Sequence, residues 1–256
     1  MSRIEEVFKK SSGRLLNVYF TAGFPNLDTT ISNLRALEEG GADLVEIGMP
    51  YSDPLADGTT IQYSSSKAIK NGMSIEKLFE QLSGVRDHLS LPILLMGYLN
   101  PIMQFGPEKF CEECERCGVD GLIIPDLPIE LYDSDYKSLF QDHGLDFVFL
   151  ITPETPEERI RMIDDRATGF IYMVSSSSTT GSTGELTDSQ LSYFKRINDM
   201  KLKNPRMIGF GISDNQSFIQ ATDYADGAIV GSAFIKHLDN DDSKESIVKF
   251  VKDIKG

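Results

Sequence analysis

Short runs of consecutive apolar residues recur along the chain, separated by glycine, proline and charged positions. They cover Leu15–Thr21, Leu44–Gly48, Pro92–Met96, Gly121–Ile124, Phe147–Ile151, Gly169–Val174, Met207–Phe210 and Gly227–Val230. These eight runs are predicted as strands. Most are apolar throughout rather than alternating, which is the pattern of parallel strands covered on both faces.

Between the runs the apolar spacing turns helical. Ile75, Leu78, Phe79, Leu82 and Val85 fall on one helical stripe, as do Tyr132, Tyr136, Leu139 and Phe140. Leu191, Phe194 and Ile197 continue the pattern, and Ile247, Val251 and Ile254 form a last amphipathic helix. Ser74 and Asp188 are expected N-caps, because their side chains accept hydrogen bonds from unpaired N–H groups of the first turn.

A faint repeat runs through this layout. Gly41-Ala42-Asp43, Gly118-Val119-Asp120 and Gly144-Leu145-Asp146 each end a helical stripe and open an apolar strand. The glycine supplies the left-handed turn that stops a helix. Eight strands alternating with helices favour an α/β (β/α)8 barrel, with an open doubly wound sheet as the other arrangement. No break in composition marks a second domain, so residues 1–256 are expected to form a single barrel. In such a barrel, reactive groups stand at the C-terminal strand ends and in the loops that follow.

Composition narrows the functions. The 256 residues are 40% hydrophobic and carry a formal net charge of −14. That balance disfavours nucleic acid, which calls for clustered lysine and arginine, and anionic membrane surfaces. The polar start MSRIEEVFKKSSGR lacks the apolar core of a signal peptide. No apolar run approaches the roughly 20 residues needed to span a bilayer. With three thiols and no export signal, a cytoplasmic location is expected.

Several chemical candidates fall away. Cys111, Cys114 and Cys117 resemble part of an iron–sulfur run, but a fourth cysteine is missing from the sequence. They read better as small apolar fillers on a helix. His88, His143 and His237 are isolated and read as surface or capping residues.

Glu46 is different. It lies inside the apolar run Leu44-Val45-Glu46-Ile47, where an unpaired carboxylate costs several kcal/mol. Alternation puts it on the face opposite Val45 and Ile47, and in a barrel one of those two faces is the interior. Pairing with a buried cation is the structural alternative, yet none of the eight runs contains a lysine or arginine. Glu46 is therefore read as a functional acid whose pKa an apolar wall raises toward neutrality. Asp53 and Asp57 follow in a loop with two prolines and a glycine; turn chemistry and function both fit them.

Two glycine-bearing strand ends, Gly209-Phe210-Gly211 and Gly231-Ser232-Ala233, follow the seventh and eighth runs. Loops at those positions form the recurrent phosphate site of this fold, through backbone N–H groups rather than lysine. From Ser175 to Gly184 every residue is serine, threonine or glycine, a composition that serves as a linker or as a lid over substrate.

With these motifs in view, the chain resembles the tryptophan synthase alpha-chain family. The carrying signature is Leu44-Val45-Glu46-Ile47-Gly48-Met49-Pro50-Tyr51-Ser52-Asp53-Pro54-Leu55-Ala56-Asp57-Gly58. Phe20-Thr21-Ala22-Gly23-Phe24-Pro25, Tyr98-Leu99-Asn100-Pro101, Pro125-Asp126-Leu127-Pro128 and Gly209-Phe210-Gly211-Ile212 support it in the same order. The resemblance implies a TIM barrel with an extra N-terminal helix. It implies a lyase that cleaves indole-3-glycerol phosphate to indole and glyceraldehyde 3-phosphate by a retro-aldol step, without cofactor or metal. Glu46 matches the family's acid–base glutamate, and Asp57 the aspartate that holds the indole N–H. Tyr19, Met96, Leu127 and Tyr172 match the indole pocket. Gly181, Gly211, Gly231 and Ser232 match the phosphate site, and Thr180 the lid threonine that bonds the aspartate. The implied partner is the tryptophan synthase beta chain, a pyridoxal-phosphate enzyme that receives indole through a tunnel in an α2β2 complex. Tyr19 stands where phenylalanine is common in the family, and Ser176 and Ser178 where arginine and glycine are.

Three alternatives sit beside this reading. Another phosphosugar barrel enzyme would need a second base or a metal across the substrate, and no matching pair is present. A non-catalytic subunit would not need Glu46 and Asp57. A free-standing lyase that releases indole would need no partner.

Overall fold

The computed structural model describes residues 1–11, 13–54, 57–174, 186–209 and 211–256. Eight parallel strands close into a barrel in sequence order. They are β1 (Leu15–Thr21), β2 (Leu44–Gly48), β3 (Ile93–Met96), β4 (Gly121–Ile123), β5 (Asp146–Ile151), β6 (Ile171–Val174), β7 (Arg206–Gly209) and β8 (Gly227–Val230). The closed barrel, rather than an open sheet, follows from β1 pairing both β2 and β8. Strands β1, β2 and β8 lie where the apolar runs predict them, and the others shift by one or two residues at an end. All residues of β1 and β2 are buried, which explains the lack of alternation in their sequences.

Alternation nonetheless sorts the two faces. Leu15, Leu44, Leu94, Ile123, Val148, Phe170, Met207 and Ile229 form one cluster inside the barrel. Leu16, Val18, Phe20, Val45 and Ile47 face outward and pack with the surrounding helices. The N-terminal helix Arg3–Lys10, capped by Ser2, adds Ile4, Val7 and Phe8 to the inner cluster. It thus stoppers the barrel at the end where the strands begin, with Phe8 against Phe170 at 5.9 Å between ring centroids.

The Gly-x-Asp repeat has a physical role at that same end. Gly41, Gly118 and Gly144 take φ of 94°, 71° and 67°, the left-handed turn that ends each helix. Two of the aspartates then accept from the backbone of the preceding strand. Asp43 accepts from the Leu16 N–H at 2.7 Å, and Asp120 from the Ile93 N–H at 2.8 Å. Asp226, just before β8, accepts likewise from the Arg206 N–H at 2.8 Å. Buried Asp120 is further held by Arg3 and Arg86 at 2.8 and 2.5 Å.

Three helical expectations are corrected. The helix Asp188–Asp199 is capped by Thr187, not Asp188: the Thr187 side chain and Gln190 form a reciprocal capping box. Asp188 is the first helical residue, where its charge favours the helix N-terminus. Val85 leaves the stripe of the helix Ile75–Leu82, because Gly84 at φ 74° breaks it and starts a separate 3-10 turn. The Tyr132 stripe contains a π-helical stretch, Tyr132–Tyr136, that still buries both tyrosines beside Phe140.

The cysteines are buried on the helix Pro107–Cys117, and burial pushes the Cys111 thiol up to about 12. His143 bonds Glu115 at 2.7 Å and His237 bonds Ser246 at 3.0 Å. Among the described residues, no helix is long and apolar enough to cross a membrane.

Candidate active site

Glu46 lies on the interior face of β2, opposite the outward-facing Val45 and Ile47, and it is fully buried. Its register neighbours are Tyr19 on β1 and Leu94 on β3. The Asn17 amide donates to Glu46 Oε1 at 2.7 Å, while Oε2 has no partner among the described residues. Burial pushes its pKa up to about 8, and the Asn17 hydrogen bond partly opposes that rise by favouring the charged form.

Tyr19 and Tyr172 bring the rest of the site around this carboxyl. Burial raises both phenols, and both feel the charges of Glu46 and Asp57. Each ring lies over a glycine of its neighbouring strand. A Cβ on Gly48 would collide with Tyr19, and one on Gly209 would collide with Tyr172. Those two glycines make room for the aromatic walls.

Asp57 stands in the loop after β2, partly buried, at a small cavity that also touches Tyr19, Met96, Tyr98 and Pro125. Burial raises its pKa, and a hydrogen bond with the Tyr98 side chain lowers it. The loop is locally anchored: the Asp57 N–H donates to Pro54 O at 3.1 Å, and Gln62 Nε2 donates to Asp57 O at 2.8 Å. Asp53 is exposed and accepts from the Ser52 hydroxyl, so of the two loop aspartates it is Asp57 that lines the cavity. Met96 ends β3 with its side chain among the interior residues, and Leu127 is buried two positions beyond Pro125.

The glycine-bearing ends of β7 and β8 open at the same rim. Gly211 adopts φ 45°, and nothing would lie near a Cβ there. Gly231 caps the helix Ser232–Asn240 without a side-chain hydrogen bond, so its first-turn N–H groups remain donors. A Cβ on Gly231 would sit 3.6 Å from Tyr19, the register neighbour of Glu46, so this donor-bearing turn lies beside the same tyrosine. Thr180, Gly181 and the whole Ser175–Gly184 stretch, with Ser176 and Ser178, lie outside the described residues. So do Leu55, Ala56 and Phe210.

The structure therefore gathers Glu46, Asp57, Tyr19, Tyr172 and Met96 at one end of the barrel, with Gly231 and Ser232 beside them. It also adds two residues that spacing did not single out. Asn17 could have been found by the argument applied to Glu46, since it is a polar residue inside an apolar strand. Tyr98 belongs to the Tyr98-Leu99-Asn100-Pro101 motif, but nothing local assigns its role, because its partner lies on another loop.

The chain as a whole has counterparts in known proteins. A family model described as tryptophan synthase alpha chain matches residues 6–255. The tryptophan synthase alpha chain of Christiangramia forsetii is 53% identical over 255 residues, covering 100% of this chain and 99% of that one. That of Flavobacterium psychrophilum is 52% identical, covering 99% and 100%. The crystal structure of tryptophan synthase subunit alpha from Legionella pneumophila superposes with a TM-score of 0.90 at 31% identity, covering 100% of this chain and 97% of that one. A chain of tryptophan synthase from M. tuberculosis, in an open form, gives 0.88 at 26% identity, covering 100% and 98%.

Proposed function

Because the chain belongs to the tryptophan synthase alpha chain family, and is thus a lyase acting on indole-3-glycerol phosphate, we propose that Glu46 is its acid–base residue and Asp57 its electrostatic partner. The supporting observation is the buried Glu46 carboxyl: one oxygen is held by Asn17, the other has no partner among the described residues, and burial pushes the pKa up to about 8.

The chemistry matches that arrangement. Cleavage needs one proton delivered to indole C3 and one removed from the neighbouring glycerol hydroxyl. Protonation at C3 leaves positive charge on the ring nitrogen, which the Asp57 carboxylate stabilises through the indole N–H. The bond to C3 then breaks, its electron pair returns to the ring, and the hydroxyl carbon becomes the aldehyde as its proton leaves. A carboxyl near pKa 8 is mostly protonated at neutral pH, able to give the first proton and then accept the second.

Tyr19, Met96, Leu127 and Tyr172 form the apolar seat for the indole. The N–H groups at Gly211, Gly231 and Ser232 receive the phosphate, with Thr180 and Gly181 completing the lid and phosphate contacts. Glycine and a helix N-terminus attract a phosphate without lysine, which accords with a chain of net charge −14. The chain acts as one barrel domain, in the cytoplasm, with a beta chain as partner in an α2β2 assembly.

Purified chain supplied with indole-3-glycerol phosphate is expected to release indole slowly, and markedly faster when a beta chain is added. Equal rates would identify a free-standing lyase, and no indole in either case would overturn the reading. Gly209→Ala is expected to displace the Tyr172 ring and lower kcat/KM about 10-fold, measured by steady-state indole formation.

A further inference from the structure

Strand β1 is apolar except for Asn17, Tyr19 and Thr21, and Asn17 is fully buried. An amide buried in an apolar wall is costly unless its polar atoms are paired. Only half of this one is satisfied: Nδ2 donates to Glu46 Oε1 at 2.7 Å, and Oδ1 has no partner among the described residues. A purely structural residue here would be aliphatic, like Leu15 on the same face.

We propose that Asn17 is a positioning residue for proton transfer, holding Glu46 by Oε1 so that Oε2 carries the proton and faces the substrate. The inference rests on the reading of Glu46 as the acid–base residue. An N–H donor at Oε1 fits both states of that carboxyl. With the proton away, it shares the negative charge; with the proton present, it leaves Oε2 as the oxygen that bears it. One fixed oxygen and one free oxygen define a direction for the transfer, which a freely rotating carboxyl lacks.

The groups around Glu46 leave this contact as its main polar control. The facing residue on β3 is Leu94, and Tyr19 on β1 and Tyr172 on β6 are phenols raised by burial. The other carboxyl acting on those phenols is Asp57 on the loop after β2. Among the described residues, no lysine, arginine or histidine is paired with Glu46. Removing the Asn17 donor therefore disfavours the charged form of Glu46.

The test begins with the unmodified chain. Its Asn17 side-chain amide resonances in 1H–15N spectra are expected to shift with pH around a midpoint of about 8. The shift should vanish in Glu46→Gln and persist in Asp57→Asn. In Asn17→Leu, the alkaline limb of the kcat/KM profile should move upward by about one pH unit. In the same variant kcat should fall about 10-fold with KM changed less than about threefold. An amide that does not titrate, or a folded Asn17→Leu chain with the native profile, overturns the proposal even if Asn17→Leu proves unstable and only the spectra can be read. If Glu46→Gln loses its rate while Asn17→Leu keeps the native profile, only the role of Asn17 falls. If Glu46→Gln keeps its rate, the reading beneath it falls as well.

Discussion

Glu46→Gln lowers the turnover of indole-3-glycerol phosphate by at least about 100-fold, the usual loss when a general acid–base group is removed. Glutamine has nearly the same shape, and its amide oxygen still accepts from Asn17, so the loss isolates the missing proton rather than a cavity. KM should change little. In the proposed mechanism the protonated carboxyl starts the reaction, so kcat/KM should fall as pH rises through about 8, and that limb should be absent from any residual activity of the variant. Stability gives an independent check. Folding raises this pKa from 4.5 to about 8, so the folded chain holds the proton more tightly than the unfolded one. The contribution is therefore full below pH 4.5 and lost as pH rises through about 8. Thermal melts of Glu46→Gln should show that decline flattened by more than about 1 kcal/mol between those limits. A variant with native turnover would remove Glu46 from the chemistry.

Asp57→Asn lowers kcat by about 100-fold or more, in the range lost with one well-placed electrostatic stabiliser. The amide oxygen of asparagine can still accept from an indole N–H, so substrate binding is largely kept. What disappears is the negative charge that matters once the ring has become cationic, and a loss confined to the transition state appears in kcat rather than KM. Tyr98 sharpens the expectation. Its hydrogen bond opposes the rise that burial imposes on the Asp57 pKa, and so favours the charged form that the proposed mechanism uses. Steady-state kinetics on indole release separates the cases: a rise in KM with native kcat would reduce Asp57 to a binding contact.

Much of this was legible in the chain because burial writes itself into composition. Strands β1 and β2 are covered on both faces, so their boundaries are visible as largely apolar runs. Glu46 stood out because a charge inside such a run is expensive. Asn17 carries the same message more faintly, since a neutral amide is cheaper to bury. Tyr98, Gly48 and Gly209 were illegible for another reason. Their roles depend on which neighbouring strand or loop reaches them, and that depends on register and closure. The slip from Thr187 to Asp188 is local: both residue types cap helices, and the reciprocal bond to Gln190 decides between them.

The stoppered floor of the barrel has a consequence for how this enzyme can change. Ile4 and Phe8 plug the start of the strands, while Asp43, Asp120 and Asp226 pin neighbouring backbones there. Rigidity is thus concentrated at the end farthest from the chemistry. The rim is relieved of holding the sheet together and is free to be rewritten. Evolution, or an engineer seeking a different indole-like substrate, can exchange whole rim segments while heat tolerance stays with the foundation.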